Sequence, residues 1–309
     1  MLYLTDSDVS QLLTPELAAD SIEKAFRSLG KGSAAIQERV RTVTPAGKLS
    51  TIGGVIPDDD RAGAKVYPTT TDGRFGFVVL LFELSSGEPL AMIRGPALTE
   101  IRTAATSVVA ARYLAPPDPK VLVLFGAGRQ AISHARAFAC QFDLAEIRVV
   151  HRRPADEVVG RIEQTTGVPT VQLGIERLGL DDADLIVTAT RSTEALFDGS
   201  RLPRDCHITA VGATTPQSRE LDNETLNRAG TIVVESIKQA RTEAGDLLLA
   251  DERVWEKVIE LAGVISASAQ RPQGVTLFKS LGVGLEDVAV ADAIYRVARQ
   301  KSFGSFLEA

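Results

Sequence analysis

Near the start of the chain, apolar residues recur at intervals of three and four: Leu17, Ala18, Ile22, Ala25, Phe26 and Leu29. That spacing places them on one face of an α-helix. Thr14-Pro15-Glu16 provides its start, with an N-cap, a proline at the first position and an acid in the first turn; Gly30 or Gly32 ends it. From residue 38 the pattern changes to that of strands, predicted at 40–44, 49–56, 64–67, 76–83 and 89–93. Turn clusters such as Pro45-Ala-Gly47 and Thr71-Asp-Gly73 separate them, which predicts an antiparallel or mixed sheet. A helix over 99–114 follows, with small residues (Ala104, Ala105, Ala110, Ala111) on one side.

Ala115-Pro-Pro-Asp-Pro119 cannot continue that helix and marks a domain boundary. Beyond it, strands predicted at 121–125, 146–150, 170–172, 185–188, 207–211 and 231–234 alternate with helical segments. Such alternation predicts a parallel doubly wound sheet with right-handed crossovers. A last helix over 284–302 is expected to return to the first domain. The fold class is therefore α/β, with a Rossmann doubly wound domain over 116–284 and a smaller α+β domain formed by 1–115 and 285–309.

The segment Val121-Leu-Val-Leu-Phe-Gly-Ala-Gly-Arg-Gln-Ala131 gives that second domain a chemical role. It reads as a buried strand, a glycine turn and a helix start, the context in which a glycine-rich motif binds a dinucleotide. Gly126 allows the tight turn and Gly128 lets a pyrophosphate approach backbone N–H groups. Arg129 and Gln130 open the helix, whose positive end faces the phosphates, and Ala131 is small enough for close helix–strand packing. Thr188, Thr190, Val211 and Gly212 end other parallel strands and are further cofactor-binding candidates. In NAD enzymes an acid about 20 residues past the glycines holds the ribose 2′-hydroxyl. Here the strand ends in His151-Arg152-Arg153, cations suited to a 2′-phosphate. NADP(H) is therefore favoured as cofactor, with NAD(H) possible because Asp156 and Glu157 follow closely.

Composition narrows the setting. The 309 residues are 44% hydrophobic and 24% charged, as in ordinary globular proteins. A net charge of −6 disfavours nucleic acid or an anionic membrane as partner. No signal peptide is visible, and no apolar run approaches the ~20 residues of a membrane span. Cys140 and Cys206 are expected to be small, reduced core residues of a cytoplasmic protein. His134, His151 and His207 show no metal-ligand spacing, so no metal is expected. His134 and His207 are read as structural.

Arg41, Lys65 and Arg102 carry the substrate-side chemistry. Lys65 lies between Ala64 and Val66, and Arg102 opens a helix whose next turns are small and apolar. Cations in such surroundings call for an anionic partner, and arginine fits a carboxylate with two parallel hydrogen bonds. Together with Arg39-Val-Arg-Thr-Val43, Gly63-Ala-Lys-Val66, Arg102-Thr-Ala-Ala-Thr-Ser107, the glycine turn, Val211-Gly-Ala213 with Pro216, and Phe278-Lys-Ser-Leu-Gly282 with Glu286-Asp287, they make a specific set. By these segments the chain resembles the ornithine cyclodeaminase/mu-crystallin family over nearly its whole length.

The resemblance implies a homodimer joined through the sheets of the first domains, which bind substrate, and an active site in the cleft to the Rossmann domain. It also implies that Arg41, Lys65 and Arg102 take the carboxylate of a small substrate, with Lys65 and Arg102 catalytic and Lys65 near the reacting atoms. One position departs from the cyclodeaminase pattern: Thr214 stands in Val211-Gly-Ala-Thr-Thr-Pro216 where those enzymes generally carry Asp. Ornithine cyclisation needs a group that accepts and returns protons, which a threonine hydroxyl does not do near neutral pH. Reduction of a preformed imine needs only hydride and one proton. The reading favoured is an NAD(P)H-dependent oxidoreductase on the C=N or C–N bond of a small carboxylated imine or amino acid, like the ketimine reductase members. The alternatives are an ornithine cyclodeaminase or alanine-dehydrogenase-like enzyme, and a non-catalytic protein that binds NADPH or a small ligand. Asp287 is read as a helix cap or a contact of the nicotinamide region, with capping preferred.

Overall fold

The computed structural model describes residues 1–74, 76–267 and 270–307. Along the chain, β1 (Leu2–Leu4), α1 (Asp6–Leu12) and α2 (Pro15–Gly30) precede β2 (Ala35–Thr44), β3 (Gly47–Ile56), β4 (Arg61–Thr70), β5 (Val78–Glu83), β6 (Pro89–Arg94) and α3 (Pro96–Leu114). There follow β7 (Val121–Phe125), α4 (Arg129–Gln141), β8 (Glu146–Val150), α5 (Asp156–Thr166), β9 (Thr170–Leu173), β10 (Leu185–Thr188), β11 (Cys206–Ala210), α6 (Asn223–Arg228) and β12 (Thr231–Val234). The chain ends with α7 (Ile237–Glu243), α8 (Gly245–Leu248), β13 (Val258–Glu260), α9 (Leu261–Ala267), β14 (Val275–Lys279), α10 (Gly284–Lys301) and β15 (Ser305–Phe306). These form two compact units, Met1–Thr106 with Gly282–Ala309, and Ser107–Leu281. The first division falls inside α3, upstream of the proline run.

In the first unit, strands run in the order β15-β1-β6-β5-β4-β3-β2. The sheet is mixed because β1 runs parallel to β6 while its other pairs are antiparallel. Helix α2 begins as its sequence dictates: the Thr14 side chain accepts from Leu17 N at 3.2 Å and Pro15 takes the first position. Its apolar stripe (Ala18, Ile22, Ala25, Phe26) is buried, and α10 packs on α2, β3 and β4. One sheet face is thereby closed, with Ile52, Ile56, Val79, Leu81, Ala91 and Ile93 buried. On the opposite face Val55, Ala64, Val66, Leu80, Phe82 and Met92 remain half-buried.

Glycine sets how closely α10 docks. A Cβ on Gly54 would lie 2.8 Å from Leu285 Cα, and one on Gly284 would collide with the Gly53 backbone. Helix and strand therefore meet backbone to backbone, and the first turn of α10 lies directly on the buried sheet face.

In the second unit, strands run in the order β13-β12-β14-β11-β10-β7-β8-β9, and every adjacent pair is parallel. The order reverses where β7 meets β10, the topological position at which open α/β sheets bind ligands. Val123, Ile186, Ile208 and Leu277 belong to its core. Cys206 is buried, but Cys140 is exposed, against expectation. Helix α4 buries the stripe Ala131, His134, Ala135, Phe138, and Cys140 falls off that stripe in the last turn. Among the described residues, no helix is long and apolar enough to cross a membrane.

Candidate active site

In the first unit, Lys65 and Arg102 are brought together by a carboxylate from α10. Lys65 lies mid-strand in β4, paired with Ile52 on β3 and Val79 on β5, so its side chain points to the face that α10 closes. Its Nζ donates to Asp287 Oδ1 at 3.0 Å, and Arg102 Nε donates to the same oxygen at 3.2 Å. Arg102 Nη1 also donates to Glu286 Oε2 at 2.7 Å. Lys65 is 2% exposed, Arg102 5%, and both carboxylates are fully buried. Burial pushes the Lys65 pKa down to about 8; the charges of Arg102 and Arg39 add to that, and Asp287 opposes it. Tyr67 and Phe77 present their rings to the ammonium, with centroids at 6.0 and 5.3 Å.

The turn before α10 is shaped around this cluster. Gly282 has φ +73°, and a Cβ there would run into the Arg102 guanidinium. Its carbonyl accepts from Arg39 Nη2 at 3.0 Å. Arg39 reaches it from the stretch between Gln37 and Val40 where β2 slips register against β3. Arg41 pairs with Ser50, and Ser50 with Tyr67, so Arg41 shares the Lys65 face but stands two residues further along, exposed. Sequence reasoning singled out the cations and left Asp287 as a cap. The structure makes it an ion-pair partner, while Glu286 takes the capping position, accepting from Val283 N at 3.4 Å. The available signal was charge balance: buried cations need acids, and Glu286-Asp287 was the pair within an otherwise apolar helix face.

In the second unit, the glycine turn lies at the sheet's order reversal. Gly126 has φ +116°, and a Cβ there would sit 2.7 Å from Ala189 O at the end of β10. Gly128 is exposed with open space at its Cβ position, and α4 begins there without a side-chain cap. Arg129 is exposed, Gln130 half-buried and Ala131 fully buried. These residues fit a dinucleotide: an uncapped helix start, backbone that a phosphate can approach, and a small residue under the helix. At the tip of β8, Arg152 and Arg153 are exposed, and the half-buried His151 sets its Nδ1 3.0 Å from Arg153 O.

The other strand-end candidates turn inward. Thr188 Oγ1 donates to Glu220 at 2.9 Å, Thr190 N and Oγ1 at 2.7 and 2.8 Å, and Gly212 N at 2.7 Å. Val211 N bonds Thr188 O at 2.9 Å. Glu220 was not singled out from sequence. It is buried, and its own N–H and that of Leu221 donate to Asp246, which pairs with buried Lys279 at 3.2 Å. Thr214 is half-buried and its N–H bonds Gly212 O.

His134 and His207 are structural. His134 meets Ser107 Oγ at 2.9 Å and Gln130 O at 2.7 Å, and His207 meets Thr276 Oγ1 at 2.9 Å. Burial depresses their pKa values to about 4 and about 3. Among the described residues no group of His, Cys, Asp and Glu could hold a metal ion.

An open parallel sheet with its glycine turn at the order reversal, joined in one chain to an α+β unit with a buried lysine–carboxylate cluster, defines an α/β protein of the dinucleotide-binding class. The chain belongs to the ornithine cyclodeaminase/mu-crystallin family, which it matches over residues 1–302. The ketimine reductase mu-crystallin of Mus musculus is 35% identical over 304 residues, 93% of this chain and 92% of its own. Among solved structures, a probable ornithine cyclodeaminase from Bordetella pertussis Tohama I is 43% identical with a TM-score of 0.92, covering 99% of this chain and 100% of that one. The Δ1-pyrroline-2-carboxylate reductase of Thermococcus litoralis, in complex with NADH and L-proline, is 26% identical with a TM-score of 0.90, covering 99% and 100%.

Proposed function

We propose that this protein is an NAD(P)H-dependent oxidoreductase that reduces the C=N bond of a small carboxylated imine. The observation that carries this reading is Lys65, a buried ammonium set among arginines and carboxylates with its pKa drawn down to about 8. Reducing an imine adds hydride to carbon and a proton to nitrogen. A donor that titrates near the working pH is well matched to the second task, and Lys65 Nζ takes that role. Arg102 and Arg41 are the cations for the substrate carboxylate, whose flat two-oxygen shape a guanidinium fits.

A reduced nicotinamide dinucleotide would supply the hydride. Gly126, Gly128, Arg129, Gln130 and Ala131 would hold its pyrophosphate, and His151, Arg152 and Arg153 the adenosine ribose, with NADPH preferred for the two exposed cations. Thr188, Thr190 and Gly212 shape the strand ends beside that turn through Glu220, with Val211 N–H bonded to Thr188 O. The half-buried apolar sheet face of the first unit supports a homodimer formed by two such faces, because an uncovered patch of this kind marks an interface.

The test follows NADPH consumption with Δ1-pyrroline-2-carboxylate and a panel of other carboxylated imines, in the wild type and in Lys65→Ala. Turnover that collapses in the variant is expected; full activity without the amine would sink the assignment of Lys65. Thermal midpoints with NADPH and with NADH, compared at equal concentration, read the nucleotide preference. The 43% identity to a probable ornithine cyclodeaminase keeps a second reading in play. Thr214 weighs against it, and ammonia released from ornithine with NAD would reverse the order.

A further inference from the structure

The carboxylate that meets Lys65 is used unevenly. Asp287 Oδ1 takes both Lys65 Nζ and Arg102 Nε, while Oδ2 is buried with no hydrogen-bond partner among the described residues. Buried carboxylate oxygens are as a rule hydrogen-bonded, so the unmatched Oδ2 sets Asp287 apart from an ordinary structural ion pair. Asp287 reaches its place because Gly54 and Gly284 let the first turn of α10 dock on β3 at backbone contact. Arg102, tied to Glu286 and Asp287 together, fixes the carboxylate from the other side.

We propose that Asp287 is a positioning residue: its shared Oδ1 holds the Lys65 ammonium in place as proton donor, and the Arg102–Glu286 pair orients it. This rests on the reading of Lys65 given above. The charged and titratable groups around Lys65 are Arg39, with Arg41 further along the same face, from β2; Arg102 from α3; Glu286 and Asp287 from α10; and Tyr67 on its own strand. Desolvation, Arg102 and Arg39 all favour the neutral amine, and Asp287 is the group that opposes them.

The test uses the full chain and the isosteric variant Asp287→Asn. Lysine labelled with 13C at Cε, assigned through Lys65→Arg, reports the Lys65 titration directly by NMR. Its midpoint is expected to fall by at least about one pH unit in Asp287→Asn. With NADPH and Δ1-pyrroline-2-carboxylate, Asp287→Asn should lower kcat/KM at least about tenfold in the wild type but less than about twofold in Lys65→Met, the pattern of a residue acting through another. A merely structural role would lower the melting midpoint and cost the same factor in both backgrounds; that outcome overturns the proposal. If Asp287→Asn does not fold, Asp287→Glu replaces it: a loss of several-fold confined to the background that keeps Lys65 supports positioning, and equal losses overturn it. A Lys65 midpoint that moves while the pH profile of kcat/KM stays fixed would retain the positioning of the amine and reject Lys65 as proton donor, so the two readings fail separately.

Discussion

At the scale of single residues, the role proposed for the Lys65 amine sets an expected pH behaviour. With its pKa near 8, it loses its proton as pH rises through that value, so a reduction that draws a proton from it slows on the basic side. The expected profile of kcat/KM is flat below about pH 7 and falls above 8. Lys65→Arg keeps the charge but cannot release it, because guanidinium stays protonated. It should erase the basic limb and lower kcat/KM by about 10²–10⁴, the usual worth of a placed acid. A limb that persists in Lys65→Arg belongs to another group. Gly282 is the second decisive residue. Alanine there meets both a positive φ and the Arg102 guanidinium. Gly282→Ala should destabilise the protein by about 1–3 kcal/mol in urea titration and lower activity with it, because Arg102 must move.

At the scale of elements, the strand ends of the second unit depend on one buried acid. Each Glu220 oxygen accepts one backbone N–H, from Thr190 or from Gly212, and one threonine hydroxyl. Hydroxyls can rotate to suit an amide, but backbone N–H groups cannot. Glu220→Gln therefore points its NH2 at a donor and should cost about 1–3 kcal/mol, seen as a lower urea midpoint. The buried histidines add an acid sensitivity to the same unit. Their folded-state pKa values, about 4 and about 3, lie below the ordinary 6.5. As pH falls below 6.5 the unfolded chain takes up protons that the native state refuses, so stability drops by roughly 1.4 kcal/mol per pH unit for each histidine. The loss should continue to about pH 4 for His134 and pH 3 for His207; replacing His207 by Gln should flatten the slope of stability against pH. A slope unchanged in that variant would assign the acid sensitivity elsewhere.

Elements of this kind also show what the sequence could say. Strands β7, β8, β10 and β12 were legible to the residue because three are short, largely apolar runs, while β8 sets Ile147 and Val149 between charged Glu146 and Arg148. β1, β13 and β15 were not: three residues or fewer carry no period, and pairing alone makes them strands. β14 was hidden differently, since Thr276 and Lys279 break its apolar run while burial of every residue leaves no alternation to read. In the site, Lys65 and Arg102 stood out as cations in apolar surroundings. Their partnership with Asp287 depends on α10 docking from the far end of the chain, which no local pattern encodes.

At the scale of the whole molecule, the first unit closes one sheet face and leaves the other half open. Val55, Ala64, Val66, Leu80, Phe82 and Met92 form a half-buried apolar surface over strands β3 to β6, the kind of contiguous patch that marks an interface. A second copy presenting the same face would bury both, the self-matching arrangement of a two-fold dimer. The wild type should therefore sediment at twice the mass of the 33.0 kDa chain. Val66 and Leu80 lie diagonally on neighbouring strands of that face, two positions apart in register. Val66→Asp with Leu80→Asp should give monomers, because two desolvated carboxylates facing their copies cost several kcal/mol. Since the opposite face holds the core, the monomer should keep its far-ultraviolet circular dichroism while losing thermal stability. A wild type that sediments as a single chain, or a charged variant that remains dimeric, would leave the open face without a partner and place any dimer contact elsewhere on the molecule.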